Sequence, residues 1–241
     1  MKQNQIKFFL LTILIVTLQS CGLTGNNASK TASRLHIIAD YKTYQAEIQY
    51  DSNNKMVYLT NYLQPLITDW KYATTDNFTK QVLYTNPDAF LRLPAAEALQ
   101  LINTELKRQN IGLKLYDAYR PYSVTLKMWE IVPDERYAAN PAKGSGHNRG
   151  IAVDLTLIDL TTGKELEMPT GYDDFSEKSH HGYLQLDSTV IANRNLLRTV
   201  MEKHGFKALE TEWWHYYWND GKKYSLMNFS FDQLREIVKN N

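Results

Sequence analysis

Two histidines and one aspartate have the residue types and spacing of a metal site. His147 and Asp154 lie in the segment 145–157, where two glycines lead into alternating apolar and polar residues. This alternation has the period of a half-buried strand, so Asp154 is expected to point away from the apolar face. His215 comes much later, in the aromatic segment 212–218. Two imidazoles and one carboxylate around an open position suit a catalytic zinc ion.

Two of these residues also have an ordinary structural interpretation. His147 would be a histidine that bonds the backbone of a glycine-rich turn, and Asp154 a strand carboxylate satisfied by its neighbours. Taken singly, either interpretation is favoured over a metal ligand. The combination of all three residues with the motifs below reverses that preference.

Five segments together resemble the zinc D-alanyl-D-alanine dipeptidases, the vancomycin-resistance type and its relatives. In chain order they are Lys71–Thr79, Tyr116–Pro121, Ser145–Asp154, Tyr172–His181 and Glu212–His215. One such motif would be weak, whereas five in the family's order are specific. The resemblance extends from about residue 58 to the C-terminus. It implies one zinc ion per chain, held by His147, Asp154 and His215, and D-Ala-D-Ala or a related D,D-dipeptide as substrate.

The resemblance also implies that Glu212 is the general base, which takes a proton from water and passes it to the leaving amine. The alternative is a surface acid at the start of a strand. Residues three apart point to opposite faces of a flat strand, so Glu212 and His215 share a cleft only at a bend or bulge. Glu210 has the same parity and matches the family less well.

Three further roles follow from the resemblance. Arg120 is expected to donate to the oxyanion of the tetrahedral intermediate, with Asp117 as its supporting partner. Asp173 is expected near the substrate ammonium, and Ser145 near the metal and the substrate. Each residue also has a purely structural alternative. Arg120 would only pair with Asp117 or a helix end, and Ser145 and Asp173 would be ordinary turn residues.

The composition is that of an ordinary globular protein. The chain has 241 residues, of which 43% are hydrophobic and 22% charged, enough for one catalytic domain. Its formal net charge of +1 gives no reason to expect a nucleic-acid partner.

The N-terminus predicts export and lipid anchoring. Two lysines precede the apolar run 8–18, which is typical of a signal peptide over residues 1–20. The following residues resemble a bacterial lipobox, in which Cys21 becomes lipidated; the alternative is a chance thiol beside a cleavage site. Residues 21–34 are small and polar, as in a flexible tether, which leaves 35–241 as the dipeptidase domain. We therefore expect a protein anchored in the cell envelope, at the periplasm or cell surface.

The pattern along the domain predicts an α+β fold with a central, mainly antiparallel sheet flanked by helices and the zinc in a cleft. Helices are expected from Pro94 to a stop at Asn110 or Gly112, over residues 123–131, from a Ser188 cap to Gly205, and after a Ser230–Gln233 capping box. Strands are expected at 111–115, 151–157 and, as one long strand, 206–218. Residues 36–39 and 56–59 are expected to be strands or extended arms.

Two other functions remain open at this point. One is a D,D-carboxypeptidase or related peptidoglycan peptidase with the same metal set and a cleft that admits longer stem peptides. The other is a noncatalytic wall-binding zinc module, which would need neither Glu212 nor Arg120. Because the resistance enzymes work in the cytosol, an exported relative is expected to serve scavenging or cell-wall turnover instead.

Overall fold

The computed structural model of the protein describes residues 35–221 and 223–240. The predicted signal peptide, the tether and Cys21 lie outside these residues. Within the described part, no helix combines the length and the apolar character that a bilayer crossing requires.

Helices and short strands alternate along the described chain. The strands are β1 (Ile37–Ile38), β2 (Met56–Tyr58), β3 (Ile67–Thr68), β4 (Phe90–Arg92), β5 (Ile111–Asp117), β6 (Ala152–Asp159), β7 (Phe206–Leu209), β8 (Glu212–Trp218) and β9 (Leu226–Met227). The α-helices are α1 (Tyr41–Tyr50), α2 (Leu93–Lys107), α3 (Tyr122–Ile131), α4 (Ser188–Lys203) and α5 (Phe231–Lys239).

A five-stranded sheet in the order β3-β5-β6-β8-β7 forms the centre of the domain. Only the edge pair β3 and β5 is parallel, and the other three pairings are antiparallel. Two small sheets, β2 with β4 and β1 with β9, complete the strand pairing described. The predicted α+β class with a mainly antiparallel central sheet is confirmed.

The central strand β6 separates the core from the site. Val153, Leu155 and Leu157 belong to one apolar cluster with the buried faces of α2 and α4. The intervening side chains, Asp154 among them, take the opposite face because successive residues of a strand alternate. Burial of the apolar face against two helices therefore fixes which way Asp154 points.

A buried cation joins three distant parts of the chain. The Arg92 guanidinium is fully buried and donates to the carbonyl oxygens of Asn54, of Arg149 at 2.9 Å and of Ser225 at 3.2 Å. The Arg92 backbone amide also donates to the Gly150 carbonyl at 2.8 Å. The β4 strand is thereby fastened to the end of the glycine turn that carries His147.

The helix boundaries follow the predictions with two corrections. Helix α2 has a proline in its first turn and ends before Asn110, which adopts φ of 59°, but Gly112 is already inside β5 and is no stop signal. The N-cap of α4 is Asp187, and Ser188 is the first helical residue. The Ser230 and Gln233 capping box is confirmed, since both reciprocal bonds form.

Two segments differ from their predicted structure. Residues 206–218 form an antiparallel hairpin of β7 and β8, and not one strand. The N-terminal region contains the ten-residue helix α1, where only strands or extended arms are expected from the sequence. Only Tyr44 of α1 is buried, so the helix carries almost no apolar stripe by which a sequence pattern could be recognised.

Candidate metal centre

A tight turn presents His147 to the sheet. His147–Arg149 form one turn of 3-10 helix, which ends at Gly150 with φ of 69°. The buried Asn148 side chain donates to the Arg120 carbonyl and to the Thr125 hydroxyl, each at 2.9 Å, and accepts from the Ser145 amide. This amide side chain therefore anchors the turn to the segment that carries Arg120.

Three donor atoms converge at this turn and on two neighbouring strands. Asp154 on β6 and His215 on β8 are register partners. Asp154 Oδ1 lies 2.8 Å from His215 Nδ1 and 3.4 Å from His147 Nε2, and the two ring nitrogens are 3.2 Å apart. The predicted convergence of these three residues is confirmed.

The donor set fits a tetrahedral metal ion. His147 Nδ1 donates to the Ala118 carbonyl at 2.7 Å, which leaves the Nε2 lone pair free to face the other two donors. A zinc ion about 2.0–2.2 Å from each donor would set the donors roughly 3.3–3.6 Å apart. The separation of 3.4 Å falls within this range, and those of 3.2 and 2.8 Å are shorter, so the donors need to spread only slightly to hold the ion. The three residues can hold a metal ion and leave one coordination position open.

The acid and the two imidazoles of the cluster change one another's pKa values. Burial raises the pKa of Asp154, but the charges and hydrogen bonds of His147 and His215 outweigh it and hold that pKa well below its usual range. Burial lowers the pKa of His215, but its hydrogen bond to Asp154 outweighs this effect and raises the pKa overall. Asp154 is therefore an ionised donor, the form that a metal ligand requires.

Glu212 lies beside the three donors because the hairpin is irregular. The register of β7 and β8 shifts between Ala208 and Leu209, so that Tyr216 faces Ala208 while Glu212 faces Leu209. This bulge places Glu212 Oε2 4.0 Å from His215 Nδ1. Burial raises the pKa of Glu212, which suits a group that must accept and return a proton. The irregularity that Glu212 and His215 require to share a cleft is therefore present.

The alternative acid is outside the site. The exposed carboxylate of Glu210 accepts from Arg198 at 2.6 and 3.1 Å. Glu210 lies in the turn between β7 and β8, and its carboxylate is engaged by a cation of α4.

Arg120 lines the same cleft and is held rigidly by Asp117. Its Nε and Nη2 both donate to Asp117 Oδ2, at 3.0 and 2.7 Å, and its guanidinium lies over the Tyr72 ring. The fully buried Asp117 also accepts from the Tyr84 hydroxyl at 2.7 Å and from the Ala118 amide at 2.9 Å. The predicted pairing of Asp117 with Arg120 is present.

Ser145 and Asp173 also line the cleft. The Ser145 hydroxyl accepts from the His147 amide at 3.2 Å. Asp173 adopts φ of 60°, and its Oδ1 accepts from the Tyr72 hydroxyl at 3.2 Å. Asp173 Oδ2 is buried and lacks a hydrogen-bond partner among the described residues. Burial raises the pKa of this carboxyl well above its usual range.

Three polar residues around the site were not singled out from the sequence. Asn148, Tyr72 and Tyr172 lie within the recognised motifs, yet their roles depend on contacts across the fold. Tyr172 donates to Asp154 Oδ2 at 2.9 Å. Burial, followed by the Asp154 charge, raises the pKa of Tyr172 well above its usual range, so the hydroxyl keeps its proton.

The cleft is small. Its volume is about 250 Å³, and its wall includes the three donors, Glu212 and Arg120. A larger groove of about 750 Å³ lies next to it and shares Asp173, but that groove is lined by none of the candidate metal ligands. Ordinary small-molecule sites run from about 300 to 1,000 Å³. The cleft is below this range, but the chemistry is located there because its wall carries the candidate metal ligands, Glu212 and Arg120.

An α+β domain that brings two imidazoles, a carboxylate and a half-buried glutamate together has the arrangement of a metallopeptidase. The chain belongs to the peptidase M15 family, described as D-ala-D-ala dipeptidase, whose model matches residues 52–233.

Several relatives carry the same name. A D-alanyl-D-alanine dipeptidase of Escherichia coli (strain K12) is 34% identical over 161 residues, which cover 67% of this chain and 83% of the relative. One of Enterococcus faecalis (strain ATCC 700802 / V583) is 34% identical over 183 residues, 68% of this chain and 91% of the relative. A solved structure of the vancomycin resistance D,D-dipeptidase VanXYg with a D-Ala-D-Ala phosphinate analog is 17% identical, with a TM-score of 0.34 over 78% of this chain and 72% of that one.

Proposed function

We propose that this chain is a zinc-dependent D,D-dipeptidase that hydrolyses the peptide bond of D-Ala-D-Ala. The observation that carries the proposal is the triangle of donor atoms from His147, Asp154 and His215, with sides of 2.8 to 3.4 Å, beside the half-buried Glu212. The family membership and the named relatives support the same reaction and substrate.

His147, Asp154 and His215 would hold the zinc ion. When bound, zinc supplies a Lewis acid that polarises a carbonyl oxygen and makes water easier to deprotonate. The fixed Nδ1 hydrogen bond of His147 and the ionised state of Asp154 prepare both groups as ligands.

Glu212 is the proposed general base. Its carboxylate takes a proton from the water that attacks the scissile carbonyl carbon, and the new carbon–oxygen bond gives a tetrahedral intermediate. The same carboxyl group then delivers the proton to the amine nitrogen as the carbon–nitrogen bond breaks. The raised pKa of Glu212 makes it a stronger base for the first transfer, and the carboxyl group formed there is the acid for the second.

Arg120 is the proposed donor to the developing oxyanion. Its Nε and Nη2 both donate to Asp117 Oδ2, and these two bonds restrain the guanidinium before the reaction begins. A donor that needs no reorganisation stabilises the developing charge most effectively.

Asp173 and Ser145 are the proposed contacts for the substrate. Oδ2 of Asp173 is buried and has no hydrogen-bond partner among the described residues, and an ammonium group beside it would favour the ionised carboxylate and form a charge-assisted hydrogen bond with it. The Ser145 hydroxyl lies beside the metal ligands in the same cleft. The volume of about 250 Å³ supports a dipeptide over a long stem peptide.

The test is an assay of the purified, zinc-loaded protein on two substrates, free D-Ala-D-Ala and a pentapeptide that ends in D-Ala-D-Ala. Release of D-Ala from the dipeptide, with little release from the pentapeptide, is the expected result. A preference for the pentapeptide would instead favour a D,D-carboxypeptidase, and the groove that adjoins the cleft at Asp173 is the feature that would accommodate the longer chain. Zinc binding without hydrolysis of either would favour a noncatalytic wall-binding module.

We also propose that the enzyme is exported and anchored in the cell envelope by lipid on Cys21, where it serves scavenging or wall turnover. The sequence of residues 1–22 supports this location. Two or more acyl chains anchor a protein stably, since each buried methylene contributes about 0.8 kcal/mol. In a detergent phase-partition experiment, the expressed protein is expected in the detergent phase and Cys21→Ala in the aqueous phase. Equal partitioning of the two proteins would refute lipidation at Cys21.

A further inference from the structure

Asp154 uses its two oxygens differently. Oδ1 faces both imidazoles, at 2.8 Å from His215 Nδ1 and 3.4 Å from His147 Nε2. Oδ2 points away from them and accepts from the Tyr172 hydroxyl at 2.9 Å. A carboxylate arranged in this way offers one oxygen to a metal while the other is restrained.

The restraint is needed because a carboxylate has little rotational preference of its own. The terminal torsion of aspartate is broad and roughly two-fold, so the rotamer alone does not fix which oxygen faces the ligands. In the described structure the hydrogen bond to Tyr172 distinguishes the two oxygens.

Tyr172 is itself held by aromatic neighbours on several sides. Its ring is stacked on Tyr116, with centroids 4.5 Å apart and planes at 17°. Trp214 and Tyr72 meet the ring edge-on, at 5.6 and 6.0 Å. The Tyr172 hydroxyl also lies 3.2 Å from the Tyr72 hydroxyl, but the Asp154 carboxylate is closer, at 2.9 Å, and as an ionised acceptor it forms the stronger bond. The stacked Tyr116 directs its own hydroxyl elsewhere, to Glu165 Oε2 at 2.9 Å.

We propose that Tyr172 is a positioning residue that holds Asp154 in its ligating orientation through the bond from its hydroxyl to Oδ2. The inference rests on the proposed zinc site. It assigns Tyr172 a role toward the metal that is separate from the substrate contact proposed for its sequence neighbour Asp173. The hydroxyl acts through Asp154.

The test compares Tyr172→Phe with the matched control Tyr116→Phe. Each variant removes one hydroxyl and keeps the stacked pair of rings, so aromatic packing is conserved. Loss of a hydrogen bond that orients a metal ligand typically weakens metal binding by about 10- to 100-fold. In competition with a chromophoric chelator, Tyr172→Phe is therefore expected to bind zinc about 10- to 100-fold more weakly than the parent, and Tyr116→Phe as tightly as the parent.

Cobalt substitution gives a second readout that a loss of folding stability would not produce. The visible absorption bands of the Co²⁺-loaded Tyr172→Phe protein are expected to shift, because the carboxylate geometry changes, and those of Tyr116→Phe to match the parent. Thermal unfolding of the metal-free variants reports any general destabilisation separately.

The outcomes separate this inference from the proposed function. If Tyr172→Phe binds zinc as tightly as a zinc-binding parent and gives the same cobalt spectrum, the positioning role is wrong and the dipeptidase assignment stands. Equal weakening in both tyrosine variants would also overturn it, because the effect would then belong to the aromatic stack. A parent protein that binds no zinc overturns both proposals.

Discussion

The half-buried carboxyl group of Glu212 lies beside three potential metal ligands, and this partial burial raises its pKa. Replacement by glutamine keeps the size of the side chain and one acceptor oxygen, but the amide cannot take up the proton as a carboxylate does. Because general acid–base catalysis typically contributes about 10²- to 10⁴-fold, Glu212→Gln is expected to lower kcat by at least about 10²-fold while zinc remains bound. Steady-state assays on D-Ala-D-Ala, with metal analysis of the same samples, measure both quantities.

Glu210→Gln is the matched control for this change. The carboxylate of Glu210 pairs with Arg198 outside the cleft, so the Glu210→Gln enzyme should turn over at the parental rate. A Glu212→Gln enzyme as fast as the parent, or a Glu210→Gln enzyme as slow as Glu212→Gln, would remove Glu212 from the role of base.

At the residue scale, the motifs allowed the three donor residues to be predicted because each motif carries a distinctive spacing. Tyr172 was not predictable in the same way. Its hydroxyl reaches a carboxylate 18 residues earlier in the chain, and Tyr72 reaches a carboxylate 101 residues later. Such contacts depend on how distant segments pack in the folded chain. In the sequence alone, a tyrosine beside a turn is more readily explained by packing or by solvent exposure.

At the scale of the element, the turn after His147 depends on Gly150. This residue adopts φ of 69°, and an added Cβ would lie 2.7 Å from Met56 Sδ. A non-glycine residue in the left-handed region costs roughly 1–2 kcal/mol, and here the contact with Met56 adds to that cost. Gly150→Ala is expected to lower the free energy of unfolding and, because the turn carries His147, to weaken zinc binding. Chemical denaturation and zinc competition measure the two effects.

Gly163 provides the comparison. It has the same φ of 69°, but an added Cβ would meet nothing within 4 Å. Gly163→Ala should therefore lose only the conformational part of the stability and keep the zinc affinity of the parent. Equal losses of stability and affinity in both variants would show that the Met56 contact and the position of the turn do not matter.

The capping box of α5 gives a prediction about stability alone. The Ser230 hydroxyl accepts from the Gln233 amide, and the Gln233 side chain accepts in turn from the Ser230 amide. Ser230→Ala should lower the free energy of unfolding by about 1 kcal/mol, since an unsatisfied helix amide is exposed. Ser188→Ala, at the first residue of α4, should change it by less than about 0.5 kcal/mol. Denaturant titrations that reverse this order would contradict the assignment of the caps.

The hairpin of β7 and β8 shows why some element boundaries were not predictable. Both strands lie in the continuous stretch 206–218, which contains no glycine or proline to mark a turn. The turn at Glu210 and Thr211 is set by pairing with the neighbouring strand, which is a property of the folded sheet. The capping box of α5, by contrast, is a local pattern, and its prediction was correct.

At the scale of the whole molecule, a bound zinc ion links the turn after α3 to the two central strands β6 and β8. Because the donor geometry exists only in the folded chain, free zinc at about 100 times its dissociation constant should stabilise the fold by about 2.7 kcal/mol. Denaturation midpoints measured with zinc and with a chelator test this value. The Asp154→Asn variant, which replaces the anionic ligand, should show a much smaller shift between the two conditions.

A parent protein whose midpoint is the same with zinc and with the chelator would indicate that the cluster does not bind zinc in the native state. Such a result would be independent of any assay of hydrolysis. It would therefore test the metal centre separately from the choice of substrate.

The buried Arg92 guanidinium has a consequence for local opening of the native protein. It donates to carbonyl groups of Asn54, Arg149 and Ser225. Within the described residues, none of its hydrogen-bond partners is a carboxylate. If one of the three segments detached, the buried guanidinium would lose one of the carbonyl groups that replace water around it. Leaving a buried charge without such partners is costly. The three segments are therefore expected to open together as one cooperative unit, even though the chain positions they occupy are far apart.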